Sequence, residues 1–155
     1  MLGVIGSALL LMAAFILGLT IRKKDKDHLC LLREVISLIR HARRKISLFA
    51  TPINELFGDF SEATLPILKN ALKTANPKDA INNISSLLGG DGDILRKMYN
   101  EIATGYKEDA VRACDYATER MTDRATDFEK KYNARKNLYV SLPLLFAVSV
   151  IVLLL

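Results

Sequence analysis

The sequence predicts an all-α protein, with a bundle of about five to six helices placed between two membrane-spanning helices. Two observations predict this fold. All 22 Lys and Arg and all 17 Asp and Glu lie within residues 22–137, so residues 2–21 and 138–155 carry no charge. Between these apolar ends the hydrophobic spacing is helical, with no strand-like alternation. Only one domain of roughly 100 to 120 residues remains there, which excludes an ordinary soluble globule, a multi-domain enzyme and a polytopic transporter.

Residues 2–21 form the first predicted transmembrane helix. A helix rises about 1.5 Å per residue, so 20 apolar residues match a hydrocarbon core of about 30 Å. The alternative is a cleavable secretory signal. An uncleaved anchor is favoured because no Lys or Arg precedes the apolar run, the run is too long, and basic residues follow it. Cys30 lies beyond the charged run and therefore does not indicate a lipoprotein.

Residues 138–155 form the second predicted transmembrane helix, a shorter segment that contains Pro143. The alternative is a buried core helix. A span is favoured because residues 144–155 are apolar on all sides apart from Ser149, which leaves no face for solvent.

Basic residues flank both spans on the side of the middle segment, residues 22–137. These juxtamembrane residues are Arg22, Lys23, Lys24, Lys26, Lys130, Lys131, Arg135 and Lys136. By the positive-inside rule, the middle segment is predicted to be a cytoplasmic domain. The net charge is +6 over residues 22–48, −5 over 49–129 and +4 over 130–137. This concentration next to the spans favours anionic membrane lipid as a partner and disfavours nucleic acid.

The first helix of the domain has the clearest amphipathic pattern. At about 100° per residue one arc is apolar, and it is predicted to be buried. That arc contains Leu31, Leu32, Val35, Ile36, Leu38, Ile39, Ala42, Ile46 and Phe49. The opposite face carries Arg33, Arg40 and Arg44. Three interpretations of this basic face remain open: a solvated surface, contact with anionic lipid, or docking onto an acidic patch of a partner.

Capping signals divide the rest of the domain into helices. Thr51-Pro52 predicts a short helix through Phe57, and another follows over about 62–74. Asn76-Pro77 predicts the start of a helix that ends at Gly89-Gly90. The apolar residues of this helix are Ala80, Ile81, Ile84, Leu87 and Leu88. Asp93 is predicted to cap the next helix, which Gly105 ends.

The last helix is predicted to start near Lys107 and to continue into the second span, because no Gly or Pro occurs before Ser141. A heptad-like apolar seam runs along it, broken at Arg124. The seam consists of Ala110, Cys114, Ala117, Met121, Phe128 and Tyr132.

The first span also has a face of small residues, which favours close packing against another helix. Gly3, Ser7, Ala14 and Gly18 fall within about 60° on the helical wheel. The alternative is that Gly and Ala are simply common in membrane spans.

The sequence offers no constellation for catalysis, metal binding or cofactor binding, so no catalytic, metal or cofactor residue is predicted. His28 and His41 are isolated, and His41 is expected at a solvated surface. The Gly89–Asp93 loop lacks the later glutamate of a calcium loop. Cys30 and Cys114 are far apart, and both are predicted to be buried or half-buried free thiols.

Several stretches of the sequence resemble the stage III sporulation protein AB family. They are the opening Met1-Leu2-Gly3-Val4-Ile5-Gly6, the stretch from Leu31 to Phe57 with its Thr51-Pro52-Ile53-Asn54-Glu55-Leu56 motif, and the Gly105-Tyr106-Lys107-Glu108-Asp109 turn. The resemblance spans the chain. The sequence departs from the expected pattern at Arg44-Lys45, where acidic character usually precedes Ile46, and at Ala110, where glutamine is common.

This resemblance implies a cytoplasmic helical domain similar to that of the type II secretion system F and type IV pilus platform proteins. It implies a role in the channel between mother cell and forespore, in the mother-cell-side membrane. The predicted function is therefore a non-catalytic membrane scaffold that couples a secretion-type ATPase, similar to stage III sporulation protein AA, to other membrane components. Homo-oligomerisation is compatible with this role. The alternatives are a membrane-bound enzyme and a membrane-anchored signalling adaptor.

Overall fold

The computed structural model describes residues 2–49, 53–56, 67–72 and 76–154; within these ranges the side chains of 2–5, 7–8, 54 and 153–154 are excepted. Every regular element in these ranges is helical, which confirms the all-α prediction. The six α-helices are α1 Leu2–Phe49, α2 Lys69–Leu72, α3 Pro77–Leu88, α4 Gly92–Thr104, α5 Lys107–Arg135 and α6 Leu138–Leu154. Short 3₁₀ turns occupy Ile53–Glu55 and Gly89–Asp91.

The chain divides into two compact units. The hairpin unit consists of residues 1–28 and 128–155, and the helical domain consists of residues 29–127. Helices α1 and α5 each contribute residues to both units. The predicted boundary between the first span and the first domain helix is therefore not a break in structure. Since neither Gly nor Pro occurs between residues 19 and 49, nothing in the sequence interrupts α1.

The two halves of the hairpin unit run antiparallel. The rings of His28 and Phe128 have centroids 4.9 Å apart. Further toward the start of α1, a Cβ atom added to Gly18 would lie 3.2 Å from the Val140 Cα. Residue numbers in the second half therefore rise as those in α1 fall, which is the pattern of an antiparallel pair of helices.

The sequence predicted that α5 continues unbroken into α6, and this prediction is wrong. Helix α5 ends at Arg135, and a turn at Lys136 and Asn137 precedes Leu138. The hydrogen-bond spacing nevertheless stays helical on both sides, with Lys136 N donating to Tyr132 O at 2.8 Å and Ser141 N to Asn137 O at 3.2 Å.

Within the described residues, one helix is long and apolar enough to cross a membrane. It extends over Lys107–Val152, 46 residues counted across the turn, and contains an 18-residue window of mean hydropathy 1.4. Only 6% of that window is buried. Length and composition thus support one span, and the first span, residues 2–21, stays a prediction.

The core of the helical domain includes the predicted arc of α1. Its members from Leu31 to Ile46 are buried, whereas Phe49 is 76% exposed, so that part of the prediction is wrong. Phe49 is the last residue of α1, where no further turn of its own helix covers it. Met98 and Leu95 of α4 are also buried.

Helices α3 and α4 begin and end largely at the predicted signals. The Asn76 side chain accepts a hydrogen bond from Lys78 N at 3.1 Å, and Pro77 is the first residue of α3, which confirms the cap. Gly89 has a φ of 61°, a backbone conformation that favours glycine, and it ends α3. The amide of Gly105 donates to Glu101 O at 2.9 Å at the end of α4.

The start of α4 differs from the prediction. The helix begins at Gly92, so Asp93 lies in its first turn and pairs with Arg96 at 3.0 Å instead of capping it. Gly92 is buried where α4 meets α3, and a Cβ there would lie 2.8 Å from the Ser85 Cα. Ser85 is correspondingly buried, whereas the apolar residue Leu87 is 52% exposed.

The apolar seam of α5 continues past the predicted break. Arg124 is exposed and pairs with Asp91 at 3.2 Å, and Ala125 takes the inward position. A straight helix drifts about 20° per heptad, so one additional step of four residues keeps the seam directed at the core. Its buried members in the domain are Ala110, Cys114, Ala117, Met121 and Ala125.

Predictions for residues 51–52, 57–66 and 73–75 fall outside the described residues. This applies to the Thr51-Pro52 cap and to most of the helix expected over 62–74.

Candidate functional site

The hairpin unit presents large apolar side chains on its surface. Phe146 is 72% exposed and Leu145 63% exposed on α6, while Leu9 and Met12 are each 62% exposed on α1. A scattered exposed leucine is normal in soluble proteins, but contiguous large apolar surfaces are rare. Further exposed apolar residues follow on both helices: Phe15, Ile16, Leu17, Leu19, Ile21, Leu138, Leu142, Val148 and Val152. This surface suits hydrocarbon better than water.

Small residues make the contact inside the hairpin unit. Ala14 and Gly18 of the predicted small-residue face are buried, whereas Gly3 and Ser7 lie outside the described side chains. Gly18 lies directly against the backbone of Tyr139 and Val140. Ala147 is only 1% exposed and was not predicted. Ala147 is the one alanine in α6, and this small side chain among larger apolar ones is the sequence signal that could have indicated the contact.

The polar end of the hairpin unit carries, on both helices, the eight basic residues that the sequence predicted to flank the spans. We call these eight residues the basic collar: Arg22, Lys23, Lys24, Lys26, Lys130, Lys131, Arg135 and Lys136. Seven are exposed and Lys136 is half-buried. Among the acidic residues of this end, Asp25 accepts a hydrogen bond from the Tyr139 hydroxyl, which ties α1 to the start of α6. The sequence predicted the collar but not this hydrogen bond.

The predicted basic face is exposed in the helical domain, where Arg33, Arg40 and Arg44 lie along one side of α1. The neighbouring Arg43 has a different role. Its guanidinium donates two hydrogen bonds to Asp115 of α5, and the Nη2–Oδ2 bond measures 3.1 Å. The hydrogen bond to Asp115 raises the pKa of Arg43. Arg43 therefore links two helices, and the side chains of Arg33, Arg40 and Arg44 are exposed.

Glu34 organises the chain just before α2. Its carboxylate accepts hydrogen bonds from Ile67 N at 3.0 Å and from Leu68 N at 3.0 Å. Leu68 is fully buried, so this carboxylate secures an apolar contact as well as the backbone. Sequence reasoning missed Glu34 because its partners are backbone amides, which leave no residue-type signal.

An open groove of about 520 Å³ lies on the helical domain where α4 ends and α5 begins. Tyr116 is half exposed there, with the Lys97 ammonium 5.7 Å and the Arg120 guanidinium 5.6 Å from its ring centre. The lining residues are Lys97, Glu101, Thr104, Gly105, Asp109, Arg112, Ala113 and Tyr116. Charges of both signs line the groove, so it selects no particular charge of ligand.

The cysteines are free thiols, with Cys114 buried and Cys30 half-buried, which confirms that prediction. Burial raises the pKa of the Cys114 thiol to about 12, so it stays protonated at neutral pH and is a poor nucleophile. His41 is half-buried, which corrects the expectation of a solvated position. The described residues contain no group of three His, Cys, Asp or Glu that would hold a metal ion.

Comparison with known proteins identifies no relative of this chain. No family model matches it, and neither a curated protein nor a solved structure is a significant match.

Proposed function

We propose that the protein is a non-catalytic membrane scaffold with two spans, residues 2–21 and 138–155, which hold a helical domain at the cytoplasmic face. The observation that carries the proposal is the antiparallel hairpin unit, with exposed apolar sides and a basic end. A two-helix unit of this kind buries its apolar surface only in a bilayer or in a partner of similar chemistry.

The dimensions of the hairpin unit fit a bilayer. The charge-free part of α1 is 20 residues long, which as a helix measures about 30 Å, the thickness of a hydrocarbon core. Helix α6 has 17 residues, a length at the lower end of the range for a span. The basic collar then lies at one interface, which by the positive-inside rule is the cytoplasmic one.

The scaffold role follows from the resemblance to stage III sporulation protein AB. By that resemblance, the protein belongs to the channel between mother cell and forespore and couples to a secretion-type ATPase similar to stage III sporulation protein AA. In the described domain, the exposed face of Arg33, Arg40 and Arg44 supports contact with an acidic patch of such a partner. Guanidinium groups pair bidentately with carboxylates, so this surface is chemically suited to a protein contact.

The experiment is a pull-down with the full chain from detergent-solubilised membranes of sporulating cells. We expect the chain to stay in the membrane pellet after alkaline carbonate washing and to co-purify with the ATPase. Arg40→Glu combined with Arg44→Glu should reduce co-purification at least several-fold, since it replaces attraction by repulsion.

The matched control changes two exposed arginines elsewhere in the helical domain, Arg96→Glu with Arg112→Glu. It should co-purify at the wild-type level. Release of the chain by carbonate would contradict the membrane anchor. Retention with a cytosolic regulator and without an ATPase would replace the scaffold by a signalling adaptor.

A further inference from the structure

The whole net charge of the protein is concentrated at one end of the hairpin unit. The helical domain, residues 29–127, contains 14 Lys and Arg and 14 Asp and Glu, and is therefore neutral. The hairpin unit contains the remaining 8 basic and 3 acidic residues, a difference of +5 that equals the charge of the entire chain. All eight basic residues belong to the basic collar. A chain with randomly distributed charge would not separate in this way.

The antiparallel pairing brings the two halves of the collar together. Residues 22–26 and 130–136 lie on neighbouring helices, close to the contact between His28 and Phe128. Both halves directly adjoin exposed apolar residues, since Ile21 is 45% exposed and Leu138 49% exposed. The collar therefore lies where an apolar surface of membrane-spanning length gives way to a charged one.

The three acidic residues at this end are outnumbered by the eight basic residues of the collar. Asp25 is half-buried and hydrogen-bonded to the Tyr139 hydroxyl, and Glu129 is also half-buried. Asp27 alone among the three is exposed. Seven of the eight basic side chains, by contrast, face the surroundings. Among the exposed charged side chains at this end, seven are therefore basic and one is acidic.

We infer that the basic collar binds the headgroups of anionic phospholipids, so that the protein gathers these lipids around itself. The inference rests on the proposed membrane insertion and adds a lipid class to it. Lipid is the occupant because the adjoining apolar surface places the collar at the depth of phosphate groups, and negative headgroups complement its charge. An acidic protein surface or a nucleic acid would complement the charge of the collar but would not cover the apolar surface that borders it on both helices.

The test measures lipid selectivity of the full chain reconstituted in phosphatidylcholine vesicles. Spin-labelled phosphatidylglycerol and spin-labelled phosphatidylcholine are added separately, and electron paramagnetic resonance gives the fraction of each lipid immobilised by the protein. We expect phosphatidylglycerol to associate about threefold more strongly at low salt, and the ratio to approach one near 1 M salt, where the screening length is about 3 Å.

Two variants with the same change in net charge show whether the collar residues cause the preference for phosphatidylglycerol. Replacing Lys23, Lys24, Lys130 and Lys131 by Gln should reduce the ratio to about one, because the phosphate-attracting charges are gone. Replacing Lys78, Lys97, Lys107 and Arg112 by Gln removes four exposed charges from the helical domain and should leave the ratio unchanged.

The outcomes separate this inference from the proposed function. If the wild type immobilises both lipids equally, the chain is inserted but the collar selects no lipid, and the inference alone is overturned. Equal loss of selectivity in both variants would also overturn it, since the effect would then follow total charge. If neither lipid is immobilised, the chain does not enter the bilayer and both proposals fail.

Discussion

The hairpin unit and the helical domain use apolar residues in opposite ways. In the helical domain Leu32 is 1% exposed and Leu95 fully buried, while in the hairpin unit Leu145 and Phe146 are 63% and 72% exposed. The domain is stabilised by removing apolar surface from water, at about 25 cal/mol per Å². The hairpin, if it lies in lipid, gains nothing from that effect and depends on close packing of small residues. The two units therefore expose their apolar side chains to very different degrees.

Both units nevertheless contain a glycine pressed against the backbone of a neighbouring helix. Gly18 meets Tyr139 and Val140 in the hairpin unit, and Gly92 meets Ser85 in the helical domain. The two glycines allow the comparison to be tested with matched substitutions, one in each unit.

The largest effect is expected for Gly18→Ile. A side chain at this position would overlap the Tyr139 backbone, which cannot move aside as a flexible side chain would. We expect the hairpin to lose about 3 kcal/mol, at the upper end of the cost of overpacking. The measurement is unfolding of the full chain by dodecyl sulfate in mixed micelles. Leu17→Ile is the control, because Leu17 is 60% exposed and should tolerate the change. Equal stability of the two variants would mean that α1 and α6 are not packed at Gly18.

A smaller loss is expected for Gly92→Ala, about 2 kcal/mol, because the added methyl group would press on the Ser85 backbone. Gly90→Ala is the matched control, since nothing lies within 4 Å of the Cβ position there. Urea unfolding of the full chain in nanodiscs, followed by circular dichroism, compares the two. If Gly90→Ala proved as costly as Gly92→Ala, close packing of α3 and α4 would not explain the need for glycine.

Glu34→Gln should weaken the hydrogen bonds that hold the backbone amides of residues 67–68, just before α2. Oε2 now accepts from both Ile67 N and Leu68 N, and Oε1 accepts a further bond from Ile67 N at 3.2 Å. The variant keeps one carbonyl oxygen but loses the charge and the other acceptor. We expect these amides to exchange about tenfold faster, equivalent to about 1.4 kcal/mol. Hydrogen exchange read by mass spectrometry measures this, with amides of α5 as an internal reference. Unchanged exchange at residues 67–68 would contradict a role for Glu34 in holding this segment.

The smallest effect is expected for the pair of Arg43 and Asp115. Both side chains are about half exposed, at 41% and 52%, so solvent screens their attraction despite the bidentate geometry. A double-mutant cycle with Arg43→Ala and Asp115→Ala, measured by urea unfolding, should give only the small coupling that is typical of an exposed ion pair. A coupling as large as that of a buried ion pair would show that this pair is desolvated and that the domain depends on it.

The sequence could predict what neighbouring residues determine. The all-α class, the buried arc of α1 from Leu31 to Ile46, the Asn76 cap and the helix end at Gly89 all depend on residues within a few positions of one another. Register along a long helix was less accessible, because a small drift accumulates and shifts the α5 seam to Ala125.

Contacts between distant parts of the chain were not predictable in this way. Glu34 reaches amides that are 33 and 34 residues away, and Arg43 reaches Asp115 across 72 residues. Neither follows from a local pattern. The eight basic residues of the collar can be read from the sequence, whereas the hydrogen bond between Asp25 and Tyr139 joins residues 114 positions apart.

The central claim, a membrane hairpin that holds the helical domain on the cytoplasmic side, is tested most directly by thiol accessibility. The protein is expressed with Cys30→Ser and Cys114→Ala, and a single cysteine is introduced as Asn82→Cys on the exposed face of α3. A membrane-impermeant maleimide is applied to intact and to lysed cells, with a permeant maleimide as the control for reactivity. We expect no labelling by the impermeant reagent in intact cells and full labelling after lysis. Equal labelling in both would place the domain outside the cytoplasm and contradict the proposed topology.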